Sequence, residues 1–252
     1  MAKIVFISGA TSGFGKACAE KFASHGYDLI LNGRREDRLE KIKEELEKRF
    51  NIAVLLSVFD VRNREEVFSA FNKIPGDWQH IDILFNNAGL ALGRDYFDEA
   101  SIDDWDTMID TNLKGLIYVT KAALPFLKKS LQPHIINMGS VAGKDVYEKG
   151  NVYCASKAAV DTLSQSMRID LLRWNIKVTA IHPGAAETEF SIVRFKGDET
   201  TAKKIYDGLE PLVANDVADV VYYCATLPKH VCINDLVLTC TQQADAIYFN
   251  RK

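Results

Sequence analysis

The amino-acid sequence predicts an α/β fold, a doubly wound parallel sheet with helices on both faces. Three observations predict it. Short apolar runs alternate with longer amphipathic segments along the whole chain, which is the pattern of repeated βαβ units. The runs are continuous and β-branched rather than strictly alternating, as expected of strands buried on both faces. The first run, Ile4–Ile7, ends in a glycine cluster that opens a helix.

Taken in order, Ile4–Ile7 reads as a strand and Gly13–His25 as the helix after it. Asp28–Asn32 is a strand and Glu36–Phe50 a charged helix. Ile52–Phe59 is a strand and Arg64–Ile74 a helix. Ile81–Asn86 is a strand, Asp103–Lys129 a long helix and Ile135–Met138 a strand. Val152–Trp174 is a second long helix, Lys177–Ile181 a strand, Asp216–Leu227 a helix and Leu236–Leu238 a last short strand. No linker, repeat or low-complexity tract interrupts the alternation, so residues 1–252 are expected to form one domain. The irregular stretch is His182–Leu212, which carries Pro183, Gly184, Gly197, Gly208 and Pro211. Interruptions of that length near the end of a wound sheet are usually functional, and a lid over about 185–212 is expected.

Composition narrows the function. A chain of 252 residues with 47% hydrophobic residues buries a large core without metal or disulfide staples. A formal net charge of −3 gives no basic field for nucleic acid. The five cysteines are scattered and form no CxxC pair, which fits reduced thiols and no metal site. No run approaches the ~20 apolar residues of a membrane span. The N-terminal run Met1–Gly9 is apolar only from Ile4 to Ile7, too short for a signal-peptide core. A soluble, cytoplasmic protein with a small-molecule ligand is the expectation.

The glycine cluster is Gly9-Ala10-Thr11-Ser12-Gly13-Phe14-Gly15. Glycines there permit positive φ and close backbone approach, and the helix N-terminus offers free N–H groups to a pyrophosphate. A glycine cluster alone is weak; its place between strand and helix strengthens it. An NAD site carries an acid about 20 residues further on, at the end of the second strand. This chain has Arg34 and Arg35 there, with Arg34 19 residues past Gly15. Guanidinium groups match a 2′-phosphate in charge and geometry, so NADP(H) is expected. A charged helix opening would account for the same two residues more simply.

Tyr153 and Lys157 are four apart near the start of a helix and share one face. A phenol is a poor base at neutral pH, but a nearby ammonium favours phenolate, and Tyr153 could then exchange a proton with a hydroxyl or carbonyl oxygen. With nine tyrosines in the chain the spacing alone is weak. Context adds weight. Ser140 follows the strand Ile135–Met138, at the carboxyl edge where ligands bind in open sheets. Asn86-Asn87-Ala88-Gly89 ends another strand at that edge, and Asn112 is a poor mid-helix residue whose side chain has reason to bond elsewhere.

In order along the chain, Gly9-xxx-Gly13-x-Gly15, Asn86-Asn87-Ala88-Gly89, Asn112, Ser140, Tyr153-xxx-Lys157 and Pro183-Gly184 resemble the short-chain dehydrogenase/reductase family. The resemblance implies a Rossmann-type sheet of about seven strands. It implies a catalytic tetrad of Asn112, Ser140, Tyr153 and Lys157, with Asn112 holding a water in a proton relay to Lys157. It also implies that Asp60 and Val61 contact the adenine, Asn87 the ribose region, Ala88 and Gly89 the cofactor, and Lys157 the nicotinamide ribose. Pro183, Gly184, Thr188 and Ser191 would then line the nicotinamide side. Homotetramers packed through the long helices follow as well.

Within the family the segments 86–93, 187–198 and 226–231 and the tail are similar to the NADP-dependent 3-hydroxy acid dehydrogenases, also called serine or allo-threonine dehydrogenases. Ala185-Ala186 departs from the bulkier pair of that branch. Such a substrate needs a cation for its carboxylate, and arginine can grip one bidentately. Arg194 is favoured over Lys196 and Lys144, with Ser140 and Tyr153 on the substrate oxygen. The alternatives are a reductase of uncharged carbonyls, a non-catalytic NADP-binding sensor, and a structural protein built on the two long helices.

Overall fold

A computed structural model describes residues 2–252; Met1, at the head of the N-terminal run, lies outside the described residues. The helices and strands follow in chain order. They are β1 (Ile4–Ile7), α1 (Gly13–Ala23), β2 (Asp28–Gly33), α2 (Glu36–Phe50), β3 (Val54–Val58), α3 (Arg64–Asn72) and β4 (Ile83–Asn86). Then come α4 (Ile102–Ile109), α5 (Leu116–Leu127), β5 (His134–Met138), α6 (Asn151–Asp170) and β6 (Lys177–Pro183). The last are β7 (Ala186–Glu187), α7 (Glu189–Arg194), α8 (Glu199–Lys204), β8 (Leu212–Val213), α9 (Ala214–Thr226) and β9 (Asp235–Leu238).

Seven strands form one parallel sheet in the order β3-β2-β1-β4-β5-β6-β9. This is the Rossmann-type arrangement. The strand order reverses between β1 and β4, and ligands of such sheets bind outside the carboxyl ends at that point.

The side-chain period of two within each strand divides the core between the two faces. Val5 and Ile7 of β1 point to the face covered by α1, α2 and α9, where they meet Phe22, Leu39 and Val221. Ile4 and Phe6 point to the opposite face, against Val67, Phe71, Val119 and Leu127 of α3 and α5. Phe6 and Phe71 stack with ring centroids 4.9 Å apart.

Three expectations are corrected. The long helix read over Asp103–Lys129 is interrupted: Asp110–Gly115 forms a wide π-type turn between α4 and α5. There the Asn112 side chain bonds outside its own helix, and Gly115 sits so close to Val61 that a Cβ would clash with its side chain. Such turns often mark functional positions. The helix read to Trp174 ends at Asp170 and is followed by a single 3₁₀ turn, closed by Asn175 at φ 51°. The stretch His182–Leu212 is not structureless. Its first two residues complete β6, and the rest holds α7, α8 and the short parallel pair β7–β8. Elements of two to six residues are too short to carry a readable period. Other element ends differ from expectation by at most two residues, the ordinary fraying of boundaries.

Candidate active site

The carboxyl edge of the sheet carries a cleft across the point where the strand order reverses. Gly9, Thr11, Ser12, Gly13 and Phe14 line it from the first turn, and Arg34, Arg35, Asp60 and Val61 from the ends of β2 and β3. Asn87, Ala88 and Gly89 line it from β4, with Tyr153, Lys157 and Thr188 at its far end. Ala10 and Gly15 are buried behind this wall. The turn is built for close approach. Gly9 and Gly13 have φ of 67° and 51°, and a Cβ on Gly15 would run into the Gly9 carbonyl and the Asn87 amide. Asn87 Nδ2 donates to the carbonyls of Ser8 and Gly9, both at 3.0 Å, which ties the β1 and β4 ends together.

The cations at the end of β2 are held in the cleft wall. Arg35 donates to Thr11 Oγ1 at 2.6 Å and Ser12 Oγ at 3.2 Å. Arg34 lies 3.8 Å from the Asp60 carboxylate. Glu189, at the start of α7, pairs with Arg38 at 3.0 Å and Arg35 at 3.4 Å, so the lid is tethered to the same face. The glycine turn, the helix N-terminus and these guanidiniums form a cradle that fits a phosphorylated dinucleotide.

Beside the far end of the cleft opens a pocket of about 210 Å³, lined by Ser140, Tyr147, Tyr153, Pro183, Gly184, Ser191 and Arg194 among others. Tyr153 and Gly139 border both cavities. Pro183, Gly184 and Ser191, expected on the cofactor side, therefore line the second pocket, and Ser191 is bonded to Tyr206 at 2.6 Å.

The four tetrad positions come together here. Ser140 ends the β5 edge in extended backbone, and its Oγ accepts from the Ala142 amide at 3.1 Å. Tyr153 and Lys157 sit one turn apart on α6 and are both buried. Burial pushes the Tyr153 phenol above its usual range, Tyr147 adds to the rise, and the Ser140 hydroxyl and Arg194 pull it back. Burial lowers Lys157 to about 8, and its Nζ donates to the Met138 carbonyl at 2.9 Å. Asn112 uses its side chain on the β4 exit loop: Oδ1 accepts from Leu90 N and Nδ2 donates to Leu90 O, each at 2.8 Å. Asn112 and Lys157 flank Gly89, where a Cβ would lie 3.2 Å from Oδ1 and 3.4 Å from Nζ.

Arg194 stands over both tyrosines, its guanidinium carbon 5.6 Å from the Tyr153 ring and 5.6 Å from the Tyr147 ring. It is 8% exposed, donates to the Gly93 carbonyl at 3.3 Å, and has no carboxylate within ion-pair distance among the described residues. The other two lid-cation candidates are elsewhere. Lys196 is exposed and pairs with Asp104 at 2.8 Å. Lys144 is drawn away from the pocket by Asp161 and Asp235, at 2.8 and 2.7 Å. Sequence reasoning missed Arg94 and Tyr147. Arg94 also borders the pocket and lies over the Tyr147 ring at 5.7 Å. Neither sits in a motif or a periodic run.

Residues 3–198 match the family model described as short chain dehydrogenase. The chain belongs to the short-chain dehydrogenase family. It is 46% identical over 244 residues to the NADP-dependent 3-hydroxy acid dehydrogenase YdfG of Escherichia coli, covering 96% of this chain and 97% of the relative. It is equally similar, at 46% over 245 residues, to sulfoacetaldehyde reductase 2 of Chromohalobacter salexigens, covering 97% and 96%. Among solved structures, the closed form of serine dehydrogenase complexed with NADP+ superposes with a TM-score of 0.91 at 43% identity, covering 99% of this chain and 100% of that one. The family makes this protein an oxidoreductase.

Proposed function

We propose that the protein moves a hydride between NADP(H) and the 3-carbon of a small 3-hydroxy acid, interconverting it with the 3-oxo acid. One observation carries the choice of an acid: Arg194 is a buried guanidinium without an acidic partner, facing the pocket that Tyr153 and Ser140 share. A buried charge is costly until paired, and a substrate carboxylate supplies the pair. The relatives support this. A 3-hydroxy acid and sulfoacetaldehyde both carry an anionic group on the carbon next to the reacting one.

The cleft residues would hold NADP(H), which when bound would supply the hydride acceptor for oxidation and the hydride donor for reduction. The chain's own residues do the rest. Arg194 holds the carboxylate, and the Ser140 hydroxyl and Tyr153 hold the reacting oxygen. In the oxidative direction the Tyr153 phenolate takes the hydroxyl proton as the carbon–hydrogen bond breaks. In the reductive direction the neutral phenol returns that proton to the carbonyl oxygen. The buried Lys157 ammonium stabilises the phenolate electrostatically, and Asn112 fixes the loop that carries Gly89 beside it. Arg34 and Arg35 take the 2′-phosphate. Thr188 closes the far end of the cleft, and the remaining cleft residues named above hold the cofactor.

We also place the protein in the cytoplasm as a homotetramer of single-domain protomers. The five free cysteines support the first, and no helix among the described residues is long and apolar enough to cross a membrane. The exposed apolar residues Ile102, Ile117, Ile169 and Leu172 of α4–α6 and the turn after α6 support the second; light scattering on the purified protein checks it.

The test of function is turnover of 3-hydroxypropionate, L-serine, L-allo-threonine and 1-propanol with NADP+ by wild type and Arg194→Met. The acids are expected to be oxidised. The variant is expected to raise their KM about 10- to 100-fold, the worth of one charge-assisted pair, with 1-propanol changed less than about threefold. Oxidation of no acid, or an equal change for acid and alcohol, contradicts the reading.

A further inference from the structure

Outside the site, Asp161, His182 and Asp235 bring three ligand-type atoms within 4.8 Å of one another. The place of an ion between the acids is taken by this chain's own cation: Lys144 Nζ lies 2.8 Å from Asp161 and 2.7 Å from Asp235. The cluster is a brace, and it leads to the catalytic serine. His182, fully buried in β6, has Nε2 2.7 Å from Asp235 Oδ1, a close approach off the hydrogen-bond line, and its Nδ1 lies 3.3 Å from the Ser140 carbonyl.

We propose that His182 is a positioning residue that holds Ser140 in register with Tyr153, anchored by Asp161, Asp235 and Lys144. The geometry of α6 supports it. Tyr153, Lys157 and Asp161 recur every four residues and so share one face. Each meets the segment from the end of β5 through the turn after it. Tyr153 faces Ser140, Lys157 donates to the Met138 carbonyl, and Asp161 holds Lys144. The backbone of that segment is pressed from both sides. A Cβ on Gly139 would run into the His182 ring, and one on Gly143 would lie 2.6 Å from the Lys157 backbone. The Ser140 carbonyl accepts from Gly143 N at 2.9 Å on the α6 side and faces Nδ1 on the β6 side. The imidazole thus sets the height of residue 140 above the sheet. Four elements, α6, β6, β9 and the turn after Ser140, converge on it.

The proposal takes from the functional reading only that Ser140 and Tyr153 act on one oxygen. The variants are His182→Phe, which keeps a ring and removes both nitrogens; His182→Asn, whose amide reaches about as far as Nδ1; and Asp235→Asn at the solvent edge of the cluster. With 3-hydroxypropionate, His182→Phe is expected to lower kcat about 10- to 100-fold, the cost of a misplaced catalytic group. The Kd for NADPH stays within about twofold, and His182→Asn, which keeps the reach to Ser140 and loses that to Asp235, recovers kcat to about the 3- to 10-fold loss expected of Asp235→Asn. Equal loss in the Phe and Asn variants, or NADPH binding that falls in parallel with kcat, overturns the proposal. Should His182→Phe fail to fold, Asp235→Asn is expected to lower kcat about 3- to 10-fold at unchanged Tm, and unchanged kcat overturns it. Hydrogen exchange of the peptide spanning Ser140–Gly143 reads the brace without turnover. Faster exchange in the Phe variant and not in the Asn variant is expected. Identical exchange in both overturns the brace, whereas a wild type inactive toward every acid overturns only the functional reading.

Discussion

Lys157→Met should make the folded protein more stable at neutral pH and remove that advantage in alkali. Lys157 loses its proton near pH 8 when folded and near its ordinary value of 10.5 when unfolded. Keeping the buried ammonium charged at pH 7 therefore costs about 3 kcal/mol, at 1.36 kcal/mol for each pH unit between the two. Methionine removes that cost and leaves the Met138 carbonyl without its donor, a loss of about 1 kcal/mol. The variant should gain about 2 kcal/mol at pH 7. The sign then reverses with pH. Between about 8 and 10.5 the unfolded chain binds more protons than the folded one, so wild-type stability rises through that window while the variant's does not. The high value of Tyr153 works in the opposite direction above its ordinary 10, but it is common to both proteins and drops out of the difference. Urea denaturation of both proteins at pH 7, 8, 9 and 10 reads it. A difference that stays constant over that range, or a variant less stable at pH 7, refutes the reasoning.

Two further outcomes follow from the cleft. Arg34→Ala combined with Arg35→Ala should weaken NADP+ binding at least about 100-fold and NAD+ binding less than about threefold; titration calorimetry with both cofactors checks this, and equal losses refute it. Gly15→Ala forces a Cβ into the Gly9 carbonyl and the Asn87 amide. It should cost about 1 to 3 kcal/mol of stability and lower NADPH affinity, seen as a reduced Tm and a smaller shift of Tm on adding cofactor. Wild-type values for both would show that the turn tolerates a side chain.

Much of the fold could be read along the chain because each strand is a short apolar run between punctuating residues, and the glycine cluster, set between strand and helix, marks the first turn. The interruption at Asn112 was only half visible. Thr111 and Asn112 are poor helix formers, yet the apolar period continues through them, and what opens the turn is the distant Leu90 backbone. Of the tetrad, spacing pointed only to Tyr153 and Lys157, strand-end position to Ser140 and helix propensity to Asn112, and the family resemblance joined the four. Arg94 and Tyr147 reach the pocket from loops, where neither period nor motif operates. Lys144, named beside the favoured Arg194 for lying four residues past Ser140, points elsewhere: a 3₁₀ turn at Val141–Gly143 sends it toward Asp161 and Asp235. His182 is one residue before Pro183-Gly184, but its role rests on a contact across the sheet to a residue 42 positions away, which no local pattern encodes.

The central claim is that Tyr153 exchanges the proton with the substrate oxygen. Tyr153→Phe keeps the ring against Phe190 and Arg194 and removes only the hydroxyl. Steady-state oxidation of 3-hydroxypropionate together with fluorescence titration of NADPH measures both halves of the claim. The kcat is expected to fall about 100- to 10,000-fold with the NADPH Kd within about twofold of wild type. A variant that keeps more than about a tenth of wild-type kcat would contradict it.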